Sequence, residues 1–213
     1  MALWTTFIPW LKERLQQPLP GYEAQRRMMN INRPDTKDTP PGARLSGVLI
    51  LLYPDGEDIR MVLIERSADG GVHSGQIALP GGKKEETDST IVDTALREAA
   101  EEVALNANSV AVIGRLSSLY IPISNFEVNP VIAITEQEPK LIPSEAEVAQ
   151  ILRLPLSTLF GRKEMVHVQA SGLNLTIHTI AYMMDDERFI WGATAMILSE
   201  LEAIMAEWEV IAV

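Results

Sequence analysis

The chain contains no cysteine. That removes a disulfide framework, a thiolate zinc site and a thiol nucleophile together. Nor does any apolar run approach the roughly eighteen residues that a membrane span requires. The first residues lack the basic, apolar and small-residue layout of a signal peptide, and the last ones carry no peroxisomal address. Taken together, these absences predict a cytoplasmic protein with no membrane partner. Positive charge is also scarce: 18 lysines and arginines face 29 acidic residues, a net charge of −11. That balance argues against general nucleic-acid binding, which depends on neutralising phosphates. An anionic substrate would have to be drawn in by a local basic patch or by metal ions. Internal repeats and low-complexity segments are absent too. What remains is ample apolar content, 46% of 213 residues, for one core, or one core with an appendage.

The most informative stretch is HSGQIALPGGKKEETDSTIVDTALREAAEEVAL, residues 73–105. It opens with a short apolar run, residues 76–79, that reads as a strand. Pro80-Gly81-Gly82 interrupts the run, since proline cannot extend a ladder and two glycines permit a tight turn. Helical periodicity follows over residues 88–103. Glu98, Glu101 and Glu102 stand at i, i+3 and i+4, so they share one sector of that helix. Val92, Leu96, Ala99, Ala100 and Val103 fall on roughly the opposite side and read as its buried stripe. Three crowded like charges repel, and a divalent cation would turn the repulsion into ligation, because Mg²⁺ prefers oxygen ligands and pairs with substrate phosphates. Three glutamates alone read more readily as a solvated acidic face. The glycine turn and the adjacent Arg97 are what favour a site.

Those residues resemble the Nudix box, a glycine and an acidic residue followed by Arg-Glu-apolar-x-Glu-Glu-x-Gly-apolar. Gly82 opens the pattern, Asp88 takes the first acidic place, and Arg97-Glu98-Ala99-Ala100-Glu101-Glu102-Val103-Ala104-Leu105 closes it. Asp88 replaces glutamate, one extra residue separates it from Arg97, and Ala104 stands where the family has glycine. The extra residue is similar to the spacing of one branch, the coenzyme A pyrophosphatases, as are Gly81-Gly82-Lys83-Lys84-Glu85 and Thr94-Ala95-Leu96-Arg97-Glu98. Upstream, Val62-Leu63-Ile64-Glu65-Arg66-Ser67, Gly75 and Leu79-Pro80-Gly81-Gly82 resemble the same branch, with Gly71 in place of its second arginine and Leu79 in place of phenylalanine. Pro130-Val131, Pro155-Leu156-Ser157 and Ile190-Trp191-Gly192-Ala193-Thr194-Ala195 extend the likeness over roughly residues 44–200. Because glycine at 104 would supply a left-handed helix cap, the helix is expected to end differently here.

The rest of the chain divides into an N-terminal helical extension and linker, residues 1–43, and a main domain, residues 44–213. Leu3, Trp4, Phe7, Ile8, Trp10, Leu11 and Leu15 suggest an amphipathic helix that packs on the domain or makes a homodimer contact. A second short helix is expected over 22–30 and a linker over 34–41. Residues 44–52 and 58–66 read as a hairpin around Tyr53-Pro54-Asp55-Gly56. Strands are expected over 109–115 and 126–135. Ser144-Glu145-Ala146-Glu147 looks like a capping box that starts a helix over 144–151. A second hairpin is expected over 165–170 and 173–183 around Ser171-Gly172, and a long amphipathic helix over 191–208.

The resemblance implies an α/β/α sandwich with a mixed β-sheet, carrying the added N-terminal segment. It also implies that Glu98, Glu101 and Glu102, helped by the backbone carbonyl of Gly82, hold Mg²⁺ or Mn²⁺, while Arg97 orients the glutamates. Arg66 and Lys83 are candidates to grip phosphates. His73, near the expected mouth of the site, is a candidate polar contact, and Lys84 reads as a solvated loop lysine. The implied reaction is hydrolysis of the diphosphate of coenzyme A or acyl-CoA to 3′-phosphoadenosine 5′-phosphate and (acyl-)4′-phosphopantetheine. Gly71 keeps open another diphosphate substrate: ADP-ribose, a dinucleoside polyphosphate or a nucleoside triphosphate. A catalytically silent nucleotide-binding domain is the third reading. Neither a phosphate-binding P-loop nor a serine nucleophile elbow is present around Gly82 or Ser74.

Overall fold

Residues 48–52 form an unbroken apolar run, the pattern of a strand buried on both faces. A computed structural model, which describes residues 2–31, 33–67, 75–170, 175–185 and 187–211, places that run at the centre of the main sheet. The strand β1 (Arg44–Asp55) pairs antiparallel with β2 (Asp58–Arg66), and the ladder continues to Asp55 opposite Asp58. The turn is therefore Gly56-Glu57, beyond the expected Tyr53-Pro54-Asp55-Gly56. On its other side β1 runs parallel to β7 (Phe126–Ile134), with Arg44 opposite Phe126 and Leu52 opposite Ile134. Short β3 (Ile77–Ala78) adds to β2, and β4 (Gly81–Lys83) adds to β1. Both β5 (Ala111–Arg115) and β6 (Leu119–Ile121) pair antiparallel with β7, and β8 (Val148–Pro155) pairs antiparallel with β2. One parallel pair among antiparallel ones makes this the expected mixed sheet.

Side chains alternate across the sheet with period two. Leu49, Leu51 and Tyr53 of β1, with Val62 and Ile64 of β2, face one helix, α3 (Ile91–Val103), through its Ala95, Ala99 and Val103. Ile50, Leu52, Met61 and Leu63 face the opposite layer, built from α1 (Ala2–Arg14) and the long C-terminal helix, α5 once the short α2 (Tyr22–Gln25) and α4 (Leu156–Leu159) are counted (Gly192–Ile211). The result is the helix–sheet–helix sandwich that the resemblance implies. From α1 come Trp4, Phe7, Ile8 and Leu11, all buried, whereas Leu3 is exposed. Trp10 and Trp208 meet at 5.2 Å between ring centroids, and Phe7 meets Trp208 edge-on at 5.8 Å. Arg14 clamps the same two helices together, its Nε and Nη2 donating to Glu207 at 2.6 and 2.9 Å. Glu200, fully buried, accepts from the Gly21 amide at 3.0 Å, Gln25 Nε2 at 2.9 Å and the Ser117 hydroxyl at 2.6 Å. Those donors satisfy a buried carboxylate that would otherwise be costly, and they tie the N-terminal segment to the core.

Two expectations are corrected. No helix forms over 144–151: Glu147 N–H and Val148 N–H both return to the Ser144 carbonyl, giving a single turn before β8 starts. The local capping signal loses to the open edge of β2, whose backbone groups β8 satisfies from Arg66 to Arg60. The short helix expected over 22–30 is one α-helical turn, α2, continued by a 3-10 turn at Arg26–Met28. A second, three-stranded antiparallel sheet holds β9 (Lys163–Ala170), β10 (Leu175–Met183) and β11 (Phe189–Ile190). The expected turn at Ser171-Gly172 lies outside the described residues. Among the described residues, no helix is long and apolar enough to cross a membrane.

Candidate functional site

The site is assembled where β4 passes beneath α3, and glycine makes the approach possible. A Cβ on Gly82 would lie 2.4 Å from the Glu98 carboxyl carbon, and one on Gly81, whose φ is 153°, would lie 2.4 Å from the Gly47 carbonyl oxygen. Side chains are thus excluded at Gly81 and Gly82, and the carboxylate of Glu98 rests directly on the Gly82 backbone. The helix begins later than its periodicity suggests, at Ile91 rather than 88. Thr90 is its N-cap, accepting from the Asp93 amide at 3.2 Å while Asp93 accepts from the Thr90 amide at 2.8 Å. This reciprocal cap satisfies two otherwise orphaned donors.

Starting the helix at Ile91 leaves Asp88 in the preceding loop, where it becomes an anchor. It is buried, and it accepts from the Glu85 amide at 2.9 Å, Thr94 Oγ1 at 3.0 Å, and Arg97 Nε and Nη2 at 3.0 and 3.1 Å. Hydrogen bonds from Arg97 first, then from the backbone, hold its carboxyl well below the usual carboxylate range. Arg97 does more. Its Nη1 donates to Glu101 at 3.0 Å, and its Nη2 reaches Glu98 at 2.9 Å and the Lys83 carbonyl at 3.0 Å. One guanidinium therefore gathers three carboxylates and a strand carbonyl, which its planar fork of donors suits. Those bonds, led by Asp88, push its own pKa further up, so it stays cationic.

The three glutamates differ sharply. Glu101 is exposed, with 58% of its side chain accessible. Glu98 is half-buried, and desolvation raises its pKa against the opposing pull of Arg97. Glu102 is buried at 1%, although it shares their helical sector. Its Oε2 accepts from the Gly81 amide at 2.9 Å and its Oε1 lies 3.3 Å from Arg66 Nη1. Desolvation pushes its pKa up to about 7, the Gly81 bond and Arg66 only partly offsetting it. The buried stripe is accordingly Thr94, Ala95, Ala99, Glu102 and Val103; Ala100, expected there, is exposed. At the helix end Ala104 itself adopts the left-handed cap, φ 54° and ψ 34°, its amide donating to Ala99. The altered ending expected from the missing glycine does not occur, and alanine bears a strain of about 1–2 kcal/mol.

Of the candidates, Gly82, Arg97, Glu98, Glu101, Glu102 and Arg66 come together. Lys83 contributes its carbonyl to Arg97, and its side chain is exposed. Lys84 turns its ammonium to the carbonyls of Glu85 and Asp88. His73 and Gly71 lie outside the described residues. Sequence reading missed Glu147, whose negative charge raises the pKa of both Glu98 and Glu102 from the turn ahead of β8. That turn is pinned to the box helix, Ser144 N–H to the Glu102 carbonyl at 2.8 Å and Ile142 N–H to Val103 at 3.0 Å. The only signal of Glu147 in the sequence was the apparent capping box with Ser144, which pointed to a helix start and not to the site. The oxygen-only donor set fits a hard divalent cation. Among the described residues, no three acidic or imidazole groups converge as a ready-made cage.

Residues 43–172 match the family model described as NUDIX domain. The Nudix hydrolase NudL of Pectobacterium atrosepticum, itself described as uncharacterised, is 36% identical over 141 residues, covering 66% of this chain and 72% of that one. NudL of Yersinia enterocolitica is 36% identical over 143 residues, 66% of this chain and 71% of that one. Among solved structures, a Nudix hydrolase from M. smegmatis, RenU, aligns with a TM-score of 0.55 at 17% identity, over 84% of this chain and 94% of that chain. A MutT/nudix family protein from Enterococcus faecalis gives 0.54 at 18% identity, over 93% of this chain and 69% of that chain. At these identities the structural likeness speaks for the fold.

Proposed function

This chain belongs to the Nudix hydrolase family and is a pyrophosphohydrolase, and from that premise we propose that it cleaves the diphosphate of coenzyme A or an acyl derivative. The products are 3′-phosphoadenosine 5′-phosphate and (acyl-)4′-phosphopantetheine. Glu98, Glu101 and Glu102, with the Gly82 carbonyl, would hold Mg²⁺ or Mn²⁺. When bound, the cation supplies charge to polarise a phosphoryl oxygen and to acidify a water. Arg97 keeps Glu98 and Glu101 beside the glycines of β4 through charge-assisted bonds, a positioning role. Glu102, whose pKa burial raises to about 7, would have to be ionised to serve as a ligand. A glutamate of this set takes the proton of the attacking water, and Arg66 and Lys83 meet the anionic substrate.

The arrangement that carries this reading is the Arg97 hub, which collects Asp88, Glu98 and Glu101 at a strand that glycine keeps bare. Support for coenzyme A comes from Thr94-Ala95-Leu96-Arg97-Glu98, the longer spacing from Asp88, and the upstream pattern ending at Ser67. Gly71, in place of a second arginine, favours a second reading in which ADP-ribose or another nucleotide diphosphate is the substrate. Glu98→Gln and Glu101→Gln, each checked for an unchanged circular dichroism spectrum, test the site. We expect turnover of coenzyme A with Mg²⁺ to fall on the order of a hundredfold or more in each. Undiminished turnover in both variants would remove the metal role from these residues.

A further inference from the structure

The hairpin of β9 and β10 brings two of the chain's three histidines face to face, on a different sheet from the glutamate-bearing helix. His167 stands directly opposite His178 in the ladder, and their rings meet edge-on at 4.5 Å between centroids and 77° between planes. The backbone explains the closeness. The His178 carbonyl accepts from the Ile31 amide at 3.3 Å, on the side of β10 away from β9. A residue whose carbonyl points away from its partner strand belongs to a non-hydrogen-bonded pair, the kind in which opposing side chains approach most closely.

The rings are also available. His167 is exposed and His178 half-buried. Neither imidazole has a hydrogen-bond or ion-pair partner among the described residues; the two rings contact each other. The next rung on that face is occupied with itself, Gln169 Nε2 donating to Thr176 Oγ1 at 2.8 Å. Two imidazole nitrogens on one ion, each at ~2.0–2.1 Å, lie roughly 3 Å apart, a separation that opposed rings at this spacing reach by side-chain rotation. Imidazole suits zinc, copper and nickel, whereas Mg²⁺ keeps to oxygen. The overall charge of −11 concentrates cations around the molecule.

We propose that His167 and His178 form a two-imidazole chelate for a divalent transition-metal ion, Zn²⁺ or Cu²⁺, with water completing the coordination. The bound ion cross-links β9 to β10 at the rung where Ile31 joins β10. It is independent of the hydrolytic reaction, because it uses no residue of the glutamate set. The test is a titration of the full chain with Cu²⁺ in the presence of excess Mg²⁺, followed by the copper electron paramagnetic resonance spectrum. One equivalent should bind, with hyperfine splitting from two nitrogens. His167→Ala and His178→Ala should each weaken binding roughly a hundredfold, the loss expected when one arm of a chelate is removed, while Mg²⁺-supported turnover stays unchanged. Equal affinity in the wild type and the double variant would overturn the proposal. So would an oxygen-only spectrum in the wild-type chain, a readout that depends on no variant folding.

Discussion

Replacing Glu102 with glutamine should make the metal-free protein more stable while stopping its chemistry. The residue is 1% exposed, and burial raises its pKa from the ordinary 4.5 to about 7. A carboxyl group with a raised folded pKa binds its proton more tightly in the folded chain than in the unfolded one. Its penalty is therefore absent below about pH 4.5, grows as pH rises, and is fully developed from about pH 7 upward. At ~1.4 kcal/mol per tenfold change in ionisation, the difference corresponds to about 3 kcal/mol. Glutamine keeps an oxygen for the Gly81 amide and carries no charge, so about 2–3 kcal/mol should be recovered, less what its new N–H groups lose for want of a partner. For a chain of this size that is roughly 5–10 °C in Tm. The assay is thermal unfolding of Glu102→Gln and wild type in a chelator, at about pH 5 and about pH 8. The gain should appear at the higher pH and largely vanish at the lower, and Mg²⁺ should stabilise the wild type more than the variant. A variant no more stable than wild type at the higher pH, or a gap that ignores pH, would refute the reasoning.

Two further substitutions separate shape from charge at the same place. Gly82→Ala puts a methyl group against the Glu98 carboxylate, which must swing away; we expect kcat to fall roughly a hundredfold, as misplacement by about 1 Å can do, with a stability loss near 1 kcal/mol in urea melts. Arg97→Lys keeps the charge but cannot reach Asp88, Glu98, Glu101 and the Lys83 carbonyl at once. Its kcat should drop roughly 10–100-fold with KM little changed, and buried Asp88 should add a loss of about 1–3 kcal/mol. Wild-type kinetics for the lysine variant would remove Arg97 as the hub.

Much of this site could be read from residue order because its determinants are local. The glutamate spacing and the β1–β2 hairpin depend on near neighbours. So does the true helix start, since Thr90 and Asp93 form a capping pair three residues apart that periodicity alone overlooks. Gly81 and Gly82, expected in a tight turn, instead lie in β4 because β1 offers them a ladder. What could not be read depends on strands meeting from far along the chain. A helical wheel places Glu102 with Glu98 and Glu101, but β4 closes over that edge and leaves Glu102 nearly without solvent. Ser144 and Glu147 carry a sound helix-start signal, yet the following residues are needed as the partner of β2. Ala104 shows the same override, accepting a left-handed backbone because the 142–144 segment holds the helix end in place.

The central claim is met most directly by incubating the purified chain with coenzyme A and Mg²⁺ and identifying the products by mass, beside ADP-ribose and a nucleoside triphosphate. Selective appearance of 4′-phosphopantetheine with 3′-phosphoadenosine 5′-phosphate is the predicted result. Intact coenzyme A alongside cleavage of either other substrate, with Mn²⁺ also tried, would contradict it.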